Sequence, residues 1–109
     1  MHDDWKYQLV IKFPLDELDM TRWDAIVGFE TELEDWLDGD SEVDGHDAGS
    51  GEMNIFVHTN DPAASLKLIQ ALLPQSELAS LDYCAGFRLF IEDDFTPVWP
   101  PESETFDVV

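Results

Sequence analysis

The stretch Trp5-Lys6-Tyr7-Gln8-Leu9-Val10-Ile11-Lys12-Phe13 alternates without a break, with Trp5, Tyr7, Leu9, Ile11 and Phe13 on one side and Lys6, Gln8, Val10 and Lys12 on the other. Period-two alternation marks a strand with one buried face, because successive side chains of an extended chain point to opposite sides. Pro14 follows and, having no N–H to give to a ladder, ends the strand.

C-terminal to it, the segment from Asp19 to Asp38 carries Trp23, Ile26, Val27, Leu33 and Leu37 at helical spacing, with Phe29 and Trp36 widening the stripe. Asp19 is placed to cap this helix and Gly39 to stop it. From Asp40 to Gly51 the residues are small and acidic, and the expectation is a short strand over Glu42 to Gly45 running into a Gly-rich turn. Glu52 to Thr59 alternates again, Met53, Ile55 and Val57 against Glu52, Asn54, Phe56 and His58, so the two segments pair as a hairpin. Asn60-Asp61-Pro62 starts a second helix: Asp61 caps, and Pro62 fits the first helical position, where its missing N–H costs nothing. That helix is apolar on more than one side and runs to about Leu73, where Pro74 stops it. Leu81 to Glu92 reads as the last long strand, with Leu81, Tyr83, Ala85, Phe87, Leu89 and Ile91 toward the core. The tail from Asp93 holds three of the six prolines; Phe95, Val98 and Trp99 are expected to lay it across the body, and Glu102 to Val109 is expected either to add an edge strand or to stay mobile.

The order β-α-β-β-α-β predicts an α+β chain. With right-handed crossovers it resembles a ferredoxin-like two-layer sandwich: a four-stranded antiparallel sheet, two helices on one face and an extended Pro-rich tail. One domain is expected over residues 1–109, with its core at about 5–92 and its tail at 93–109. That superfold hosts many activities and so implies none.

Composition narrows the function instead. The 109 residues are 44% hydrophobic and 12% aromatic, enough for a packed core, and five Lys/Arg face 25 Asp/Glu for a net charge of -20. A field of that sign repels phosphate backbones and anionic headgroups, so neither nucleic acid nor a membrane surface is expected as a partner. The start of the chain has no basic, apolar leader and no run of about 20 apolar residues exists, which predicts a cytoplasmic location. The lone Cys84 leaves no internal disulfide and no CxxC metal site, and it is read as a small packing residue rather than a nucleophile paired with His58.

Thirteen acids lie between Asp16 and Asp47, opposed only by Arg22. Asp24, Glu32, Asp35 and Asp38 share the outward face of the first helix, and Asp40, Glu42, Asp44 and Asp47 continue the charge beyond it. Crowded like charges cost stability, which points either to solubility or to a docking surface for a basic protein. Asp40-x-Glu42-x-Asp44-Gly45 followed by Glu52 approaches a calcium loop, but Glu stands where Asp or Asn is usual and the closing Glu falls one residue late, so no metal and no cofactor is expected. Glu30 falls inside the apolar stripe of the first helix and is expected to reach water by a roll of the helix at the sheet edge. The sheet face without helices collects Lys12, Phe56, His58, Arg88 and Phe90, which would suit a small anion or pairing with a second copy. No Gly-rich phosphate loop, GxSxG or HExxH occurs, so no residue is assigned a catalytic role. The leading expectation is an acidic interaction module, similar in size and charge alone to inhibitor and immunity-type proteins; the competing one is an anion-binding or homodimeric regulatory module using the open sheet face.

Overall fold

The computed structural model describes residues 5–15, 20–37, 41–49, 51–76, 78, 82–102 and 104–106. Strand β1, Tyr7–Pro14, lies at the centre of a five-stranded antiparallel sheet of order β2-β3-β1-β4-β5. It pairs with β3 (Glu52–Thr59) from Tyr7↔Thr59 to Pro14↔Glu52, and with β4 (Cys84–Leu89) from Tyr7↔Leu89 to Lys12↔Cys84. In this register Leu9, Ile11 and Phe13 fall beside Met53, Ile55, Val57 and Ala85, and all seven are fully buried. Helices α1 (Met20–Trp36) and α2 (Pro62–Leu72) add Ile26, Phe29, Leu33, Leu66, Ile69 and Leu72 to the same apolar cluster. Each such side chain contributes about 1.5–3 kcal/mol on burial, so the alternating face that the sequence displays is the main source of stability.

Local chemistry sets the ends of α2 as expected: Asp61 accepts a hydrogen bond from the Ala64 N–H at 3.1 Å, and Pro62 occupies the first turn. Trp36 is largely exposed, yet its Nε1 donates to the Leu68 carbonyl at 2.7 Å, tying the two helices. A buried chain of hydroxyls, Ser41 to Ser65 to Thr59 with both links at 2.7 Å, fixes α2 against β2 and β3. The proposed cap Asp19, the stop Gly39 and the strand residue Leu81 lie outside the described residues. Among the described residues no helix is long and apolar enough to cross a membrane.

Three expectations are corrected. The sheet has five strands and not four, because Thr96–Trp99 in the tail forms β5 on the far side of β4. The edge strand therefore lies before the Glu102 to Val109 stretch. The last long strand stops at Leu89: Phe90 and Ile91 form a turn in which Arg88 Nη1 donates to the Phe90 and Glu92 carbonyls at 3.3 and 2.7 Å, and Ile91 is 92% exposed rather than in the core. Strand β2 is long, Ser41–Gly49, and carries a bulge between Val43 and Gly45. Gly45 has φ +146, a conformation that L side chains rarely adopt. The extra residue, Asp44, resets the alternation, so that Val43, His46 and Ala48 share the helix-side face.

The tail also covers the second sheet face. Phe106 is buried and lies against Gly86, where a Cβ would sit 2.6 Å from its ring; Val10, the partner of Gly86 in the β1–β4 ladder, is fully buried.

Candidate functional site

Strand β2 is the outermost strand, and α1 packs beside it on the helix side. Asp24, Glu32 and Asp35 are exposed on α1. On the opposite side of the sheet β2 presents Glu42 and Asp47, because their register partners His58 and Asn54 belong to the outer face of β3, and the bulged Asp44 reaches His58 on that same face. The acidic flank thus wraps around the edge of the sheet instead of lying on a single helix face. Its members differ in freedom. Glu42 is half-buried and accepts from Trp5 Nε1 at 3.1 Å; Asp47 is exposed and accepts from Asn54 Nδ2 at 3.1 Å; Asp44 is exposed and lies 3.4 Å from His58 Nε2. Asp38 and Asp40 lie outside the described residues. Among those residues, no strand pairs with the free side of β2.

The outer face holds the other candidates, in two groups. Gln8 sits between His58 and Arg88 in the register, and here His58 meets the Phe90 ring edge-on at 4.8 Å while the Arg88 guanidinium lies over Phe90 and Phe95 at 5.5 and 5.6 Å. Arg88 Nε donates to Gln8 at 3.0 Å, so with its two carbonyl bonds this cation is occupied inside the chain. Lys12 lies four residues further along β1, roughly 13 Å away. It pairs with Glu52 at 3.3 Å and lies over the Phe106 ring, 4.8 Å from its centroid. Phe56 is half-buried between the two groups. Cys84 is exposed and not a packing residue, and its register partner is Lys12, well away from His58 on Gln8.

Glu30 departs from expectation. It is buried, with 8% of its surface exposed, and does not roll out to water; its Oε1 lies 2.9 Å from His46 Nδ1. With Glu30 ionised, the Nδ1–H is the donor. Trp23 closes over the pair, its ring edge-on to His46 at 5.8 Å. Glu30 Oε2 is buried without a hydrogen-bond partner. The bulge at Asp44 is what brings His46 under α1, and simple alternation through β2 hides that signal. Among the described residues, no group of three or more His, Cys, Asp or Glu is placed to hold a metal ion.

Comparison with protein-family models, curated proteins and solved structures finds no match to this chain.

Tyr83, where β4 meets β5, stacks on Trp99 at 5.9 Å and accepts a hydrogen bond from Gln70 Nε2 at 3.1 Å. Burial pushes its hydroxyl above the usual tyrosine value of 10.0, and the Gln70 bond works in the opposite direction. Because the folded value is raised, the unfolded chain releases this proton first. The stabilising contribution is therefore complete below the usual value and is lost as pH climbs through the folded one. Denaturant midpoints followed into that alkaline range should fall more steeply for the wild type than for Tyr83→Phe; parallel decline would remove Tyr83 as the cause.

Proposed function

We propose that the protein is an acidic interaction module that docks a cationic partner along α1 and the outer edge of β2, covering the partner's basic surface as an inhibitor does. The observation that carries this reading is the distribution of charge around that edge: Asp24, Glu32 and Asp35 on one side of the sheet and Asp44 and Asp47 on the other are all exposed. Lys12 and Arg88, by contrast, are engaged within the chain. Such a field speeds diffusional encounter with a basic protein and orients it. The strand order β2-β3-β1-β4 with its two helices fits a ferredoxin-like sandwich to which β5 is an addition at the edge. An exposed single thiol suits the reducing cytoplasm. Anion binding or self-pairing through the outer face has less support, because Phe106 packs on that face and its Lys12 and Arg88 already have partners.

The test combines capture and kinetics. Wild-type protein should retain a basic protein from lysate of its own cells, and the association rate of that pair should fall about tenfold or more between low and high salt. A variant with Asp24→Asn, Asp35→Asn, Asp44→Asn and Asp47→Asn should associate more slowly while melting slightly higher, because like-charge repulsion has been relieved. A rate indifferent to salt and to these four substitutions would overturn the proposal.

A further inference from the structure

At the opposite edge of the sheet the first turns of α2 face β4 and β5 across an open groove of about 450 Å³, a size typical of small-molecule sites. Its walls are mostly carbon: Tyr7, Phe87 and Trp99, with Pro62, Leu66 and Pro101. The aromatic walls are held in place by the rest of the fold. Tyr7 meets Phe87 edge-on at 5.7 Å, and Trp99 is stacked on Tyr83. A ligand entering here would lose little free energy to reordering these side chains, the condition under which a shallow apolar groove binds with useful affinity.

Two charged residues line the groove, Asp61 and Lys67, and they differ in availability. Asp61 already caps α2 through the Ala64 N–H. Lys67 is exposed and, among the described residues, has no hydrogen bond or ion pair. Lys67 is therefore the charged group of the groove that has no partner among the described residues, although the chain as a whole is strongly negative. We infer that this groove binds a small organic carboxylate with a flat apolar body, the ring lying against Tyr7, Phe87 and Trp99 and the carboxylate meeting Lys67. The inference is independent of the acidic flank on the other edge.

Three probes that share one ring system and differ in charge test it: 2-naphthylacetate, 2-naphthylethanol and 2-naphthylethylamine, each titrated into the full chain while amide and indole N–H resonances are followed by NMR. The acid should move the Trp99 indole and the backbone of Val98 and Gln70, and bind about fivefold more tightly than the alcohol, the order expected for one partly exposed charge contact. Lys67→Gln, at an exposed position that leaves the fold intact, should bring acid and alcohol to within about twofold of each other. The inference is overturned if the amine binds best, if acid and alcohol bind alike to the wild type, or if the shifts fall outside the groove. It is equally overturned if raising the protein concentration alone moves the same resonances, which would assign the groove to a second copy of the chain.

Discussion

Phe106→Ala is expected to lower the stability of the protein by about 2–4 kcal/mol, the cost of truncating a buried aromatic reduced somewhat by the freedom of a segment near the chain end to relax. The ring is 7% exposed, contacts Gly86, lies under Lys12 and packs against Phe95 at 5.5 Å. Its loss would open the sheet face that the helices leave free, wetting Val10 and uncovering one side of Lys12. Urea unfolding of the wild type and the variant gives the size of the loss, and the rise in Lys12 accessibility can be read by amine labelling. Gly86→Ala attacks the same contact from below, since its new methyl cannot coexist with the ring in place. A loss under about 0.5 kcal/mol for both, within the range of ordinary surface changes, would mean that the tail is not part of the folded unit.

The second large effect concerns the Glu30–His46 pair. His46→Ala leaves a buried carboxylate facing no donor and removes the ring that Trp23 rests on, and the expected loss is about 1–3 kcal/mol. Glu30→Leu combined with His46→Leu should recover most of that loss, because replacing both polar partners by carbon of similar shape removes the desolvation cost along with the bond, and Glu30 Oε2 already lacks a partner. A double-mutant cycle on thermal or denaturant unfolding measures the coupling directly. If the single and double variants were equally destabilised, the contribution would come from packing alone.

Much of this architecture is readable in the chain. Strand β1 and strand β3 announce themselves because one face is buried and the other is not, which writes a period of two into the residues, and α2 begins where Asp61 and Pro62 demand. A bulge adds one residue and breaks the period, so β2 looks short. Strand β5 is four residues long and contains Pro97, too little pattern to distinguish from a loop. Ile91 follows the alternation of β4 but lies past the point where Arg88 ties down the turn, a contact decided in three dimensions. Glu30 sits in an apolar stripe, and whether it escapes to water or finds a partner depends on the same hidden bulge. The acidic positions were legible as charge, but their placement on both sides of one sheet edge follows only from strand order.

The free side of β2 has a consequence for the fate of the molecule at high concentration. A strand of nine residues whose outer side pairs with no other strand among the described residues is a ready seed for fibril growth. Two copies meeting along this edge would set Asp44 and Asp47 against the same carboxylates of the neighbouring chain, where like charges oppose pairing. The acids that would draw in a basic protein thus also keep the chain from polymerising on itself.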